Sequence, residues 1–295
     1  MRSLELIERW PVPTVAAAVV SVDGTVVSNG PTSTRFRLAS LSKVIVAWTV
    51  LIAVEEGSLT LDDPIGQPGC TLRHLLCHAG GYGFEGVDPV ATPGRRRFYS
   101  NTGIEMAAQA LVDATGIGLV DYINEALLQP LGMASTELRG SPAHGVWGSV
   151  DDLVRFVDEI IHPTLLDPAT VADATSPQFP DLAGVVPGVG AFRPCPWGLG
   201  PEIRGGKSPH WTGTTNSPRT FGHFGGAGTM FWIDPDCGVS LIALTDRMFD
   251  EWTEDALRLW PQLSDAVLAE VAQPSSQPPS AGTAATGSPH GGRQE

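Results

Sequence analysis

Lysine is almost missing from this sequence: two of the 295 residues, Lys43 and Lys207. Cysteine is scarce as well, at positions 70, 77, 195 and 237, with no paired metal-ligand spacing. That usage fits reduced thiols in a cytoplasmic protein and gives no reason to expect a metal or cofactor. Basic residues number 18 against 32 acidic ones, a net charge of −14. Such a balance disfavours nucleic acid and anionic membrane as partners and leaves a small-molecule substrate as the expectation. No apolar run reaches the roughly 18 residues of a membrane span. The opening "MRSLELIERWPVPTV" has no charged region followed by an apolar core and a small-residue cleavage site, so no secretory signal is expected.

What is present reads as an α+β chain with a sizeable core. "TVAAAVVSVDGTVVSNG" (Thr14 to Gly30) predicts two strands around an Asp23-Gly24 turn. "GTMFWID" and "GVSLIALTD" predict a second hairpin around the Pro235 and Gly238 turn cluster. Helices are predicted at Gly103 to Thr115, Val120 to Leu128 and "SVDDLVRFVDEIIH", the last capped by Ser149 with Asp152 three residues on. A closing helix follows residue 250, with a break expected at Pro261. Strands at both ends with helices between imply one sheet built from residues 1–62 plus 200–271, with a helical insertion at 63–199. The Pro/Ser/Gly/Ala-rich stretch 272–295 predicts a disordered tail.

Lys43 stands directly before an eleven-residue run, Val44 to Val54, whose only polar member is Thr49. Residues three apart share a helix face, so Ser40 and Lys43 come within reach of each other. A serine hydroxyl becomes a nucleophile when a base takes its proton, and a lysine can be that base only when neutral. Burial favours the neutral amine, and a helix N-terminus both disfavours a cation and offers N–H groups to an oxyanion. A snorkelling Lys43 beside a capping Ser40 accounts for the spacing equally well.

Two further stretches carry chemistry. "RRRFYSNTG" places Tyr99 and Asn101 before a helix, a phenol to move protons and an amide to bind a carbonyl. A packed tyrosine in a capped loop is the plainer account. "TFGHFGGAGTMFWID" sets His223 and Gly225 at the start of a strand, where the Gly226 N–H and the Ser40 N–H would form an oxyanion hole. An incidental histidine in a glycine-rich turn is the alternative. His74 and His78, four apart with no third ligand, read as structural, and Arg95, Arg96 and Arg97 as a solvated charge run.

Taken in order, Ser40-Leu41-Ser42-Lys43, Tyr99-Ser100-Asn101 and His223-Phe224-Gly225 resemble the three motifs of the serine β-lactamase and penicillin-binding-protein superfamily. The likeness is to its class C-like branch, with related esterases and D-amino-acid peptidases. "LTLDDPI", "LRHLLCHAGGYG", "LLQPLGMASTEL", "GSVDDLVRF" and "GHFGGAGTMFWIDPDCG" extend it over about residues 10 to 265. The resemblance implies a β-lactamase/transpeptidase-like fold. It makes Ser40 the acylated nucleophile, Lys43 its base and Tyr99 the proton shuttle, with Asn101, His223 and Gly225 on the substrate. His223 departs from the pattern, since many relatives carry lysine there, and a neutral imidazole gives no fixed cation for a β-lactam carboxylate.

The expected function is hydrolysis of carboxylic esters or small amides through a Ser40 acyl-enzyme. A β-lactamase or D-amino-acid peptidase, an acyltransferase and a binding or sensor module that does not turn over are the alternatives. Phe192, Trp197 and Trp211 precede the third motif and are placed either on the pocket wall or in the core.

Overall fold

In the computed structural model, which describes residues 1–273, both predicted hairpins form. Gly24 adopts φ 83° in the first turn, a left-handed conformation that glycine takes without penalty. In chain order the strands are β1 (Val15–Ser21), β2 (Val26–Asn29), β3 (Phe36–Arg37), β4 (Glu137–Leu138), β5 (Val146–Gly148), β6 (Gly184–Val186), β7 (Gly190–Phe192), β8 (Glu202–Ile203), β9 (Phe221–Gly225), β10 (Thr229–Asp234) and β11 (Val239–Thr245). Six of them make one antiparallel sheet in the order β2-β1-β11-β10-β9-β8. The first strand thus pairs with the last, Ala18 opposite Ile242. The shorter strands form a three-stranded sheet, β3-β5-β4, and the β6-β7 pair.

Both faces of the large sheet are covered, which is why β1 reads as continuously apolar and not alternating. Ala16, Ala18 and Val20 face one core, shared with helix α1 (Ser42–Glu55). Ala17 and Val19 face the other, shared with the N-terminal 3-10 segment Arg2–Arg9 and the closing helix. Helix α1 is buried from Ser42 through Ala53, so it is apolar on every side and shows no amphipathic stripe. Around it lie α2 (Leu72–Leu76), α3 (Asn101–Thr115), α4 (Leu119–Ile123), α5 (Val150–Ile161) and α6 (Pro168–Ala174). As expected, Ser149 caps α5, accepting from the Asp152 N–H at 3.2 Å. The segment predicted as Val120 to Leu128 starts at Leu119, and Asn124–Leu128 is wound as a π-helix.

The expected break at Pro261 is overturned: α7 (Thr253–Val271) runs through it. Proline removes one helical hydrogen bond. Trp260, Leu263 and Val267, all fully buried beside it, press the helix onto the sheet and outweigh that loss. The expected disordered tail lies outside the described residues from 274 onward. No single described helix is long and apolar enough to cross a membrane.

Candidate active site

Ser40 sits in a 3-10 turn, Ala39–Leu41, that runs directly into α1. Two neighbours pin the turn. The Leu38 N–H donates to the Val146 carbonyl at 2.9 Å while the Val146 N–H donates to Ser42 Oγ at 2.9 Å. On the other side Thr229 Oγ1 donates to the Leu38 carbonyl at 2.9 Å. Between them Ala39 is held at φ 47°, a left-handed conformation that costs a residue with a Cβ of order 1–3 kcal/mol. A strained residue immediately before a presented hydroxyl is where such strain tends to collect.

Lys43 is fully buried, as its apolar context predicts. Its Nζ lies 3.2 Å from Ser40 Oγ and donates to the Ala143 carbonyl at 2.9 Å. Burial lowers its pKa from 10.5 to about 7, with Glu85 and Glu105 acting in the opposite direction. Near neutral pH much of the amine is therefore uncharged, with a lone pair beside a serine hydroxyl. The Tyr99 ring is 4.8 Å from the same Nζ. Burial raises the Tyr99 phenol above its ordinary value, and the Ser40 hydroxyl beside it pulls the other way.

His223, on β9, completes the group: its ring lies 5.8 Å from that of Tyr99. Its Nδ1 is 2.6 Å from the Phe224 carbonyl, which can only accept, so Nδ1 carries the proton. Burial, with the Lys43 charge adding to it, lowers the imidazole to about 4, so His223 is neutral at pH 7. Gly226, just past β9, faces open space, and neither its N–H nor that of Ser40 donates to another group among the described residues. Ser40, Tyr99, His223 and Gly226 line one cavity of about 280 Å³. Its walls are Phe84, Val186, Pro187, Trp197, Phe224 and Phe249; Glu202 and Asp250 also line it, and no lysine or arginine among the described residues does.

The remaining expected site residues, Asn101 and Gly225, adjoin the cavity without lining it. Asn101 is buried at the start of α3, outside the cavity lining, where its Nδ2 donates to Glu85 at 2.6 Å and its Oδ1 has no partner among the described residues. Gly225 is a close-approach position. A Cβ there would meet the Leu38 carbonyl oxygen and Thr229 Oγ1 at 2.5 Å, so glycine lets β9 approach the Ser40 turn. Of the three aromatics, Trp197 is on the wall; Trp211 and Phe192 are not. The reading of Arg97 as solvated is overturned. Its guanidinium is buried, donating to the carbonyls of Cys77, Cys195 (2.7 Å), Gln178 (2.7 Å) and Phe179 (3.3 Å), because four converging carbonyls replace its water. Arg95 and Arg96 are exposed.

Sequence reasoning missed the group behind the cavity. Lys207 is as buried as Lys43 and pairs with Glu202 at 2.9 Å. Glu202 also accepts from Trp211 Nε1 at 2.7 Å and lies 3.1 Å from His210 Nε2. Burial alone would raise the Glu202 carboxyl, but Lys207 and His210 together hold it well below the usual range. The signal was available, since Lys207 is the chain's other lysine. No cluster of three or more His, Cys, Asp or Glu side chains among the described residues is arranged to hold a metal ion.

Such a set, a serine beside a buried amine with a phenol and two free N–H groups, can form and break an acyl-serine. The chain belongs to the Beta-lactamase family, whose model matches residues 8–263. A solved beta-lactamase (Mb2281c) from Mycobacterium bovis is 46% identical, with a TM-score of 0.89 over 92% of this chain and 100% of that one. Esterase EstB from Burkholderia gladioli is 26% identical over 74% of this chain and 78% of its own length. Penicillin-binding protein 4* from Bacillus subtilis is 30% identical over 41% of this chain and 36% of its own length, so the match spans about a third of that relative.

Proposed function

We propose that the protein is a serine hydrolase that cleaves carboxylic esters with apolar acyl groups through an acyl-enzyme on Ser40. The observation that carries this reading is the buried Lys43 amine 3.2 Å from Ser40 Oγ, with its pKa near 7. In the first half-reaction Ser40 Oγ attacks the ester carbonyl and its proton passes to the neutral Lys43 amine. The carbonyl oxygen becomes an oxyanion facing the Ser40 and Gly226 N–H groups. Collapse breaks the bond to the leaving oxygen, which takes a proton from Tyr99; the Lys43 ammonium restores it. Water then attacks the acyl carbon, its proton returning through Tyr99 and Lys43, and Ser40 leaves reprotonated. The balance is ester plus water to acid plus alcohol.

Esters are favoured over β-lactams by the cavity's charge. A penicillin brings a carboxylate, and the lining offers two carboxyl groups, a neutral imidazole and no cation. Placing an unpaired anion against apolar walls is costly. The resemblance to an esterase supports the same choice.

The test is intact-mass spectrometry after brief exposure to p-nitrophenyl butyrate or a penicillin, with nitrophenol release and ring opening followed in parallel. Wild type should release nitrophenol without opening penicillin, and Ser40→Ala should do neither. Penicillin turnover would refute the ester preference. A stable adduct without turnover would point to a sensor, and faster nitrophenol release with an added alcohol, giving a new ester, to acyl transfer.

A further inference from the structure

Helix α2 ends at Leu76 and is capped by Cys77, and the next residue, His78, is held at φ 62°, a left-handed conformation that a bulky residue rarely adopts. Its surroundings account for it. The His78 carbonyl accepts from the Phe98 N–H at 2.9 Å, and its Nδ1 accepts from the Ser100 N–H at 3.2 Å. These two donors are the residues immediately before and after Tyr99. The His78 ring lies 4.7 Å from the Tyr99 ring and meets Trp197 edge-on at 5.1 Å. One residue thus grips the backbone on both sides of the phenol and packs against its ring.

We propose that His78 is the positioning residue of Tyr99: it fixes the Phe98–Ser100 backbone so that the phenol sits between Ser40 and the leaving group. The inference rests on the proton-shuttle reading of Tyr99 and adds to it the group that sets its place. Three features separate His78 from a core residue placed for packing alone. It takes a strained backbone conformation, which persists where surrounding structure over-determines it. It uses a ring nitrogen as acceptor, so the imidazole is neutral, with its proton on Nε2. That Nε2 is buried with no partner among the described residues, a loss accepted for the sake of the Nδ1 bond. The groups around it leave the ring little reason to charge: Lys43, His223 and Arg97 all act with burial to keep it neutral. The acceptor is therefore present throughout the working pH range.

The conformation and the acceptor can be removed separately. Glycine accepts the positive φ without an acceptor; asparagine tolerates it and places Oδ1 near the position of Nδ1. His78→Gly should lower kcat by about tenfold to a hundredfold, the scale of a misplacement of about 1 Å, with KM moved by no more than about twofold. His78→Asn should recover most of that loss. The deciding measurement repeats both substitutions in Tyr99→Phe. If His78 acts through the Tyr99 hydroxyl, neither substitution lowers kcat further once that hydroxyl is gone. Losses that multiply in the double variants, with all proteins folded by thermal melt, would overturn the proposal. If His78→Gly does not fold, His78→Phe, which keeps a ring and removes the acceptor, takes its place in the cycle: a kcat loss of about tenfold or more that vanishes in Tyr99→Phe supports the proposal, and an unchanged kcat or a loss that multiplies overturns it. A Tyr99→Phe enzyme at the wild-type rate would instead remove the proton-shuttle reading, and this inference with it.

Discussion

Replacing Lys43 with methionine should abolish activity and stabilise the fold. Lysine has its ordinary pKa of 10.5 in the unfolded chain and about 7 in the folded one. Between those values the unfolded chain holds a proton that the folded protein does not, so wild-type stability rises with pH from 7 to 10.5 and is flat below 7. At about 1.4 kcal/mol per pH unit the difference amounts to roughly 5 kcal/mol, present in full below pH 7 and gone above 10.5. Methionine fills nearly the same volume and carries no such cost. It does leave the Ala143 carbonyl without the amine that now donates to it, a loss of about 1–3 kcal/mol. The net gain at pH 6.5 should be about 2–4 kcal/mol, or several degrees in Tm for a chain of this size. Guanidinium unfolding of both proteins at pH 6.5, 8 and 9.5, followed by tryptophan fluorescence, measures it. The gap should close as pH rises. A Lys43→Met protein less stable than wild type at pH 6.5, or a gap that ignores pH, would refute a buried neutral amine and remove the base from the mechanism.

Three other outcomes follow from the same geometry. The kcat/KM for an uncharged ester should rise with pH through an apparent pKa near 7 as Lys43 loses its proton, and Glu105→Gln should move that limb to lower pH. Lys207→Met should cost about 3–5 kcal/mol by leaving the Glu202 carboxylate buried without its main partner, and adding Glu202→Gln should restore much of it in a denaturant titration. Arg97→Lys should lose about 2–4 kcal/mol in the same titration, because an ammonium cannot span the carbonyls of Cys77, Cys195 and Gln178.

The two hairpins and α5 were legible because their signals are local: Asp23-Gly24, Pro235 with Gly238, and the Ser149 cap each act within a few residues. Ser40 and Lys43 were legible because helix spacing fixes their separation and an apolar run betrays burial. Arg97 was not, since the carbonyls that desolvate it come from residues far away in sequence. Pro261 misled for the same reason: helix propensity sees the missing N–H and not the packing of Trp260 and Val267 that compensates. Asn101 and Gly225 belong to the right neighbourhood, yet their contacts, Glu85 for one and the Leu38 turn for the other, are long-range facts that no local pattern contains. His78 read as structural, and its two backbone bonds to the loop bearing Tyr99 are contacts that its spacing from His74 does not contain.

With both lysines enclosed, the folded protein shows solvent no ε-amine at all, and its outward cations are arginines. Amine-directed chemistry therefore finds no exposed lysine side chain on the folded protein. Acylation of Lys43 or Lys207 by a bulky reagent should report opening of the fold. The scarcity that marks the active site in the sequence thus also leaves the two lysines as labels that only an opened fold exposes.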